Sequence, residues 1–409
     1  MNFFEGMYMS IRRNSIESLE TPCYIVDDKV LNNNVNKLLS ALNNNFSSFI
    51  FSYSVKTNSL PWLLQYLNGV GCYAEVVSED EYLLVKELGF STEKIIYNGP
   101  LKSKKTFYDA LSYGGIVNID TKRELIWLSE FIQSNVLIAK IGLRVNVDMD
   151  ALLEGSADYP DDSSRFGFSI ENGEFQSAVD YLKLKNIRLS GLHIHRTTKN
   201  RSVEGYKALC SFAIDVVAKN DLDLDYIDIG GGFYGDKPNS PSYEDYFSAI
   251  KSVLSQYFDI NKLLVIIEPG NAVVASCFNF LTTVIDTKKI KNHHIVIIDG
   301  SRNDIDPFFH KNSYSYKIYN GNNFDTSVEI VNRQVITGCS CLEFDRIFEI
   351  YNSMKLKPGD KILFQYVGAY TMTLSPLFIR FFPNVYLYKE NKYSLIRPKW
   401  SCKSLILNS

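Results

Sequence analysis

Short apolar runs alternate with amphipathic segments between residues 49 and 270. Eight runs that are apolar or rich in β-branched residues predict strands, at 49–55, 73–77, 94–97, 115–119, 137–147, 187–195, 224–229 and 263–267. Segments with helical periodicity lie between most of these runs. Two of them open with the spacing of a capping box, Ser78 with Glu81 and Thr121 with Glu124. The pattern therefore predicts strands and helices in alternation.

Eight strands that alternate with helices predict a parallel sheet closed into a (β/α)₈ TIM-like barrel. An open doubly wound sheet is the alternative. After Pro269 the chain changes to short strands separated by turn signals such as Lys357-Pro-Gly-Asp360, which predicts a second, mostly β domain. We expect the barrel over 27–270 and the β domain over 1–26 together with 271–409.

Composition narrows the class of protein. The 409 residues are 45% hydrophobic and 22% charged, with a net charge of −3, which is typical of a globular protein without a basic nucleic-acid surface. No apolar stretch approaches the roughly 18 residues of a membrane span. The first residues place apolar side chains before arginines, the reverse of a signal peptide, and seven cysteines are an odd number. We therefore expect a cytoplasmic protein with reduced thiols and a small-molecule substrate.

Polar residues and glycines follow the predicted strands, where a barrel carries its functional groups. In chain order these strand ends carry Lys56, Glu75, Asn98, Asp120, Arg144 with Asn146, His195, Gly230 to Gly232 and Glu268. The amides of consecutive glycines can approach a phosphate closely. A lysine in a dry barrel mouth can lose its proton and form a Schiff base. A lysine, a phosphate site and an acidic residue together meet the needs of pyridoxal 5′-phosphate.

Each of these features also has a purely structural interpretation. Lys56 alone fits a solvated strand end, and three glycines alone fit a turn. His195 fits a structural histidine, and Glu81 fits a helix-capping partner. Cys339 and Cys341 fit small core residues or half of a metal site. Since no matching cysteine or histidine cluster lies near them in the sequence, we predict no metal.

Eight segments in order between residues 53 and 371 make the combination specific. They are Tyr53-Ser-Val-Lys56-Thr-Asn58, Tyr73-Ala-Glu75-Val-Val-Ser78, Ser164-Arg-Phe-Gly167, Gly191-Leu-His-Ile-His195, Asp228-Ile-Gly-Gly-Gly-Phe233, Glu268-Pro-Gly270, Gly338-Cys-Ser-Cys341-Leu-Glu-Phe-Asp345 and Gly368-Ala-Tyr370-Thr371. Together they resemble the alanine-racemase-like (fold type III) pyridoxal phosphate decarboxylases, which include the ornithine, arginine and diaminopimelate decarboxylases.

The resemblance implies a role for particular residues. Lys56 corresponds to the Schiff-base lysine, His195 to the histidine that stacks on the cofactor ring, and Glu268 to the partner of the pyridine nitrogen. Cys341 corresponds to the cysteine that returns a proton to the substrate α-carbon. The predicted catalytic residues are therefore Lys56, Cys341 and His195. The predicted cofactor-binding set is Lys56, Glu75, Arg144, His195, Thr198, Gly230, Gly231, Gly232, Glu268, Gly270 and Tyr370.

The resemblance further implies a homodimer with shared active sites, in which the cysteine comes from the second subunit. Two alternatives stay open. An amino-acid racemase on the same fold would be expected to contact the pyridine nitrogen with arginine, and Glu268 argues against that. A non-catalytic, decarboxylase-like regulator is the other, although Lys56, Cys341 and a following β domain are all present.

Departures from the family pattern bear on the substrate. Asn271 stands where the family has a phosphate-binding arginine, and Leu342 where decarboxylases of basic amino acids have an acidic residue. Asp306 and Lys311 depart from the pattern that holds a distal amine or a second carboxylate. We expect Asp306, Leu342 and Tyr370 to contact the substrate. A buried distal cation needs an acidic partner.

We therefore predict that the substrate is a specialised-metabolite intermediate, such as a siderophore precursor or a microcin C-like antibiotic, rather than a free basic amino acid. The alternative is an ordinary decarboxylase of ornithine, lysine or diaminopimelate in which Glu343 or Asp306 binds the distal amine.

Overall fold

The computed structural model describes residues 15–156, 164–196, 201–235, 237, 239–320 and 329–406. The chain divides into two compact units, Asn34–Ala272 and Met1–Asn33 with Val273–Ser409. Within the described residues, the strands are β1 (Cys23–Asp27), β2 (Phe49–Ser54), β3 (Tyr73–Ser78), β4 (Ile95–Leu101), β5 (Ile116–Ile119), β6 (Lys140–Arg144), β7 (Gly191–His193), β8 (Tyr226–Asp228), β9 (Leu264–Ile267), β10 (Phe278–Ile290), β11 (His293–Ile298), β12 (Tyr316–Tyr319), β13 (Ile330–Thr337), β14 (Arg346–Met354), β15 (Lys361–Phe364), β16 (Asn384–Lys389) and β17 (Lys392–Arg397).

The helices follow most of the barrel strands. In chain order they are α1 (Asp28–Asn45), α2 (Pro61–Gly69), α3 (Glu79–Glu87), α4 (Lys104–Ser112), α5 (Lys122–Phe131), α6 (Met149–Leu152), α7 (Glu174–Leu184), α8 (Val203–Asn220), α9 (Tyr243–Leu254), α10 (Asn271–Val274), α11 (Arg302–Ile305) and α12 (Cys402–Ile406). In the part of the chain that the structure describes, no helix is both long and apolar enough to cross a membrane.

Strands β2 to β9 form a closed barrel in which every neighbouring pair is parallel. The predicted (β/α)₈ barrel is thus confirmed, and the open doubly wound sheet was wrong. Strands β6, β7 and β8 are clearly shorter than predicted. At the ends of β6 and β7, residues such as Val145 and His195 continue past the ladder into the loops of the barrel mouth.

Helix starts follow the predicted capping residues. The Ser78 hydroxyl accepts a hydrogen bond from the Glu81 amide, and the Thr121 hydroxyl accepts one from the Glu124 amide. The Glu81 carboxylate accepts from the Val77 amide at 2.9 Å, one residue before the cap. Glu81 therefore lies at the helix start as predicted, but its carboxylate binds the Val77 amide rather than the Ser78 amide, so the predicted capping box is not formed.

Side chains that point into the barrel form two layers. The lower layer is mainly apolar and contains Ile96, Ile116, Tyr226 and Ile266, with Ile50, Tyr73 and Leu264 packed against them. Since side chains alternate along a strand, the next inward position lies two residues further on. In all eight strands that position holds a buried polar residue, namely Ser52, Glu75, Asn98, Asn118, Arg144, His193, Asp228 or Glu268.

The second unit contains a sheet in the order β14-β13-β11-β10-β1-β16-β17, and β15 joins it by pairing with β10 and β12. Strand β1 lies between antiparallel β10 and parallel β16. Its apolar core includes Cys23, Ile25, Leu281, Leu363 and Tyr386. A mostly β second domain is therefore confirmed.

Candidate active site

Lys56 lies at the barrel mouth, in the single 3₁₀ turn Val55–Thr57 that follows β2. Its Nζ donates a hydrogen bond to Glu75 Oε2 at 2.6 Å, and the Ser54 hydroxyl donates to the same oxygen at 2.5 Å. The lysine side chain is 41% exposed and that of Glu75 is 2% exposed. A buried carboxylate therefore anchors an amine that remains accessible.

Glu268 follows β9 and is buried on the same side of the barrel. Its Oε1 accepts a hydrogen bond from Asn98 Nδ2 at 2.6 Å, and the same amide nitrogen lies 3.4 Å from Glu75 Oε1. Burial raises the pKa of Glu268 well above its ordinary value, and the neighbouring Asp228 carboxylate raises it further. Asn98 thus links the carboxyl group near Lys56 to a second one with a strong affinity for a proton.

Asp228 and Asn118 continue this polar network one strand further in each direction. Asn118 Nδ2 donates to Asn98 Oδ1 at 2.8 Å and to Asp228 Oδ2 at 2.9 Å. The Tyr226 hydroxyl donates to Asn118 Oδ1 at 2.8 Å, and the Gly230 amide donates to Asp228 Oδ1 at 3.0 Å. The upper layer of the barrel is therefore a chain of hydrogen bonds.

Two histidine rings lie nearly parallel at the end of β7. The His193 and His195 ring planes differ by 7°, with centroids 6.2 Å apart. Burial, together with the positive charges of Arg144 and Lys56, lowers the pKa of His195 to about 3. Burial also lowers the pKa of His193 well below its ordinary value, so its 3.6 Å approach to Glu268 is not an ion pair at neutral pH. Both rings are therefore neutral.

The three glycines after β8 fill a space that has no room for side chains. Gly230 and Gly232 have φ angles of 76° and 92°, in the left-handed region that favours glycine. A Cβ on Gly230 would lie 2.3 Å from His195 Cβ, and one on Gly231 would lie 2.3 Å from the Glu268 carbonyl oxygen. Among the described residues, the amides of Gly231 and Gly232 donate to no acceptor. Bare backbone thus lines the mouth between the histidine and the glutamate.

Gly270 ties the Glu268 segment to the turn that carries Lys56. A Cβ on Gly270 would lie 1.9 Å from Thr57 Oγ1 and 3.2 Å from Ser54 Cβ. Only glycine permits this approach, which brings the ends of β2 and β9 together.

Arg144, at the end of β6, orients the loop of His195. Its Nη1 lies 3.1 Å from Asp120 Oδ2, and its Nη2 donates to the His195 carbonyl oxygen at 3.4 Å. The other Asp120 oxygen accepts from the Gly167 amide at 3.0 Å, within the Ser164–Gly167 turn singled out in the sequence. Arg144 therefore acts here on protein groups that surround the mouth.

Cys341 and Leu342 lie in the loop between β13 and β14 of the second unit. Cys341 is exposed, whereas Cys339 is partly buried and its thiol donates to the Asp299 carbonyl oxygen at 3.4 Å. All seven cysteines are free thiols. A groove of about 700 Å³ in this unit is lined by Cys341, Leu342 and Glu343 among others.

Asp306 lies after α11, and neighbouring protein groups already bind its carboxylate. It pairs with Arg302 at 2.9 Å and accepts from the Tyr314 hydroxyl at 2.9 Å, and the amides of Lys311 and His310 donate to it at 3.0 and 3.1 Å. Burial raises the pKa of Asp306, but these hydrogen bonds outweigh it and leave the pKa below its ordinary value. The carboxylate is therefore ionised and fully engaged.

The last three positions singled out in the sequence are Tyr370, Thr198 and Asn271. Tyr370 is 37% exposed in the second unit with a φ of 57°. Thr198 lies outside the residues that the structure describes. Asn271 begins α10.

One barrel mouth thus gathers most of the predicted cofactor residues, namely Lys56, Glu75, Arg144, His195, Gly230, Gly231, Gly232, Glu268 and Gly270. Sequence reasoning missed Asn118, and it gave Asp228 no role of its own. The signal was the alternation along the strands, since each polar residue stands two positions after an inward member of the lower layer.

The mouth fits pyridoxal 5′-phosphate by the chemistry of its groups. The amides of Gly231 and Gly232 suit the phosphate, and the Lys56 amine is accessible for a covalent bond to the aldehyde. The neutral His195 ring can pack on an aromatic ring, and the Glu268 carboxyl group is a buried partner for a ring nitrogen.

Comparison with known proteins agrees with this chemistry. Residues 32–275, more than half of the chain, match the family model described as "Pyridoxal-dependent decarboxylase, pyridoxal binding domain". A diaminopimelate decarboxylase of Bacteroides thetaiotaomicron is 28% identical over 369 residues, which cover 86% of this chain and 91% of the relative. A mouse ornithine decarboxylase is 26% identical over 367 residues, which cover 85% of this chain and 76% of the relative.

Solved structures show the same fold. The crystal structure of a diaminopimelate decarboxylase from Methanocaldococcus jannaschii has a TM-score of 0.82 at 23% identity, and the match covers 96% of this chain and 93% of that one.

Proposed function

The chain belongs to the pyridoxal-dependent decarboxylases, and from that premise we propose that it removes the α-carboxylate of a free diamino acid. As a member of that family it is a pyridoxal phosphate-dependent amino-acid decarboxylase. The observation that carries the proposal is an exposed carboxylate, Glu343, beside Cys341 in a chain whose relatives are named for diamino acids.

This proposal replaces the predicted specialised-metabolite substrate, because the relatives' names favour the alternative. The specialised-metabolite prediction depended on Leu342, which cannot pair with a distal amine. The next residue, Glu343, supplies a carboxylate in the same groove. Asp306 is a poorer candidate, because Arg302, Tyr314 and two backbone amides already occupy it.

The barrel residues have complementary parts in the proposal. When bound, pyridoxal phosphate draws electrons from the α-carbon of the amino acid and so eases the departure of CO₂. Lys56 would hold the cofactor covalently, and the Gly230–Gly232 backbone would hold its phosphate. Glu268 would bind the pyridine nitrogen, and the neutral His195 ring would pack against the cofactor ring. Glu75 keeps the Lys56 amine in place through its 2.6 Å hydrogen bond.

Cys341 completes the site by donating a proton to the substrate α-carbon. We propose, with the family resemblance as support, that a homodimer shares its sites and that each Cys341 serves the barrel of the partner. The exposure of the Cys341 side chain is consistent with a role at a surface that a second subunit covers.

The test is CO₂ release by purified protein supplied with pyridoxal phosphate and, separately, with lysine, ornithine and diaminopimelate. We expect turnover of at least one of them. Glu343→Gln should raise the KM of that substrate roughly 10- to 100-fold, since a charge-assisted hydrogen bond is worth about 1.5–3 kcal/mol. Its kcat should change little.

Asp306→Asn is the matched control, because it removes a carboxylate that protein groups already occupy. It should lower stability and leave the KM nearly unchanged. A protein that binds the cofactor but releases no CO₂ from any diamino acid would contradict the proposed substrate class. An equal KM in Glu343→Gln and the parent protein would contradict the role of Glu343.

A further inference from the structure

Asp228 and Glu268 form a pair of buried carboxyl groups on neighbouring strands, below the mouth that takes the cofactor. Both are at most 4% exposed. One oxygen of each lies within 4.8 Å of the other and of a His193 ring nitrogen. The hydroxyl of a protonated Glu268 can hydrogen-bond to the Asp228 carboxylate, which lowers the pKa of Asp228 and raises that of Glu268. In the sequence, Asp228 begins the segment Asp228–Phe233 but has no predicted role of its own.

The hydrogen bonds around the pair determine where a shared proton resides. Both Asp228 oxygens accept from fixed donors, the Gly230 amide at 3.0 Å and Asn118 Nδ2 at 2.9 Å. Glu268 accepts from Asn98 at Oε1. Donors to a carboxylate favour its ionised form, so Asp228 is the ionised member and Glu268 carries the proton.

The other groups that face the pair agree with this assignment. The ring of His193 is neutral, because burial lowers its pKa well below the ordinary value. Glu75 adds negative charge near Glu268, and Lys56 adds positive charge at the mouth. Two buried carboxyl groups this close cannot both ionise without a cation nearby.

We propose that Asp228 is a positioning residue that acts through Glu268, and that the pair holds one proton which it delivers to the pyridine nitrogen of the bound cofactor. In that transfer the O–H bond of Glu268 breaks and an N–H bond forms on the ring. The negative charge of Asp228 raises the pH at which Glu268 and the ring nitrogen together lose their last proton, and so the ring nitrogen stays protonated to a higher pH. The proposal depends on the cofactor assignment and not on which amino acid is the substrate.

The experiment is a pH titration of the holoenzyme loaded with pyridoxal phosphate that carries ¹⁵N in the ring, followed by NMR. The nitrogen shift reports the ring proton directly and does not depend on turnover. In the parent protein we expect the nitrogen to lose its proton at a higher pH than in the free cofactor. In Asp228→Asn the midpoint should fall by about one to three pH units, the size of shift that a charge at this distance produces.

Asp228→Asn separates this role from a structural one. Asparagine keeps an oxygen that can accept from the Gly230 amide, so a residue that merely supports the glycine loop predicts an unchanged midpoint. Asp225→Asn is the matched control on the same segment. Asp225 is partly exposed and pairs with Arg188, outside this network, and its variant should titrate as the parent does.

Three outcomes would overturn the proposal. An Asp228→Asn midpoint equal to that of the parent would do so, and so would an equal shift in Asp225→Asn. If Asp228→Asn does not fold, the parent titration decides the matter alone, since a midpoint at or below that of the free cofactor contradicts a proton-donating pair. Failure to bind the cofactor at all would instead contradict the proposed function.

Discussion

Substituting Gly230 tests the cofactor mouth at the point where it leaves least room. Gly230 has a φ of 76°, and a Cβ there would lie 2.3 Å from His195 Cβ and 2.5 Å from its Nδ1. Ordinary carbon contacts are about 3.5–4.0 Å, so Gly230→Ala forces the loop or the histidine to move by about 1 Å. The nearest His195 atom is next to the backbone, so a change of rotamer does not relieve the contact.

Two contributions to the free energy of unfolding are expected. A left-handed backbone costs an L-residue roughly 1–2 kcal/mol, and overpacking a filled site costs about 1–3 kcal/mol. Gly230→Ala should therefore lower the stability by roughly 2–5 kcal/mol. The same displacement moves the loop amides away from the phosphate, and since a charge-assisted hydrogen bond is worth about 1.5–3 kcal/mol, we expect cofactor affinity to fall roughly 10- to 100-fold.

Gly173→Ala is the control, because Gly173 has the same φ of 76° and no atom lies within 4 Å of the position that a Cβ would take. It should lose only the roughly 1–2 kcal/mol of backbone strain and bind the cofactor normally. Gly231 has no positive φ, but a Cβ there would lie 2.3 Å from the Glu268 carbonyl oxygen. Gly231→Ala therefore adds a steric clash without backbone strain. Urea unfolding measures the loss of stability, and fluorescence titration with pyridoxal phosphate measures the cofactor affinity. Equal cofactor affinity in Gly230→Ala and Gly173→Ala would refute the reasoning.

Three further predictions concern groups with distinct tasks. Cys341→Ala should keep cofactor binding and lose about 10²- to 10⁴-fold in turnover, whereas Cys339→Ala should change turnover little; equal defects would contradict the assignment. Mixing Lys56→Ala with Cys341→Ala should restore about one quarter of parent activity, because half of the dimers then hold one intact site of two; no recovery after verified subunit exchange would show that Cys341 serves its own chain. Burial raises the pKa of Glu81 from 4.5 to about 7, against the hydrogen bond from the Val77 amide. The Glu81 carboxyl group loses its proton near pH 4.5 in the unfolded chain but only near pH 7 in the folded protein. The free energy of unfolding therefore falls as the pH rises from about 4.5 to 7, by about 3 kcal/mol at most. Glu81→Gln should remove that fall in urea unfolding at pH 5 and pH 8, and an unchanged slope would count against it.

The sequence predicted the barrel because its strands carry two independent signals. Apolar β-branched runs mark the strands, and capping residues such as Ser78 and Thr121 mark the helices that follow them. The same logic located Lys56 and Glu268, since a barrel concentrates its chemistry at strand ends. These features are local in the sequence, which is why they were predictable.

The packing inside the barrel was not predictable, because it depends on which strands are neighbours and on their register. A Cβ on Gly142 would lie 2.2 Å from the Tyr226 hydroxyl, and one on Gly191 would lie 2.3 Å from the Tyr226 ring. Two glycines therefore make room for one tyrosine, which orients Asn118. Nothing within a single strand shows this arrangement. The predicted specialised-metabolite substrate is less well supported than its alternative, a diamino acid, and it depended on Leu342 alone, whereas the carboxylate proposed to bind the distal amine belongs to the neighbouring Glu343.

The two layers of side chains inside the barrel contribute differently: the lower layer stabilises the fold, and the upper layer carries the polar groups of the site. The lower layer buries isoleucine and tyrosine side chains, which stabilises the fold through the hydrophobic effect. The upper layer buries carboxyl, amide and imidazole groups, each of which costs free energy unless it has a hydrogen-bond partner. The Tyr226 hydroxyl donates to Asn118, Asn118 donates to Asn98, and Asn98 donates to Glu268, so each of these groups has a partner. The nitrogens of His193 have none among the described residues. An apolar upper layer would cost less free energy to bury, and the proton that we propose Asp228 and Glu268 to share would give the polar layer a function.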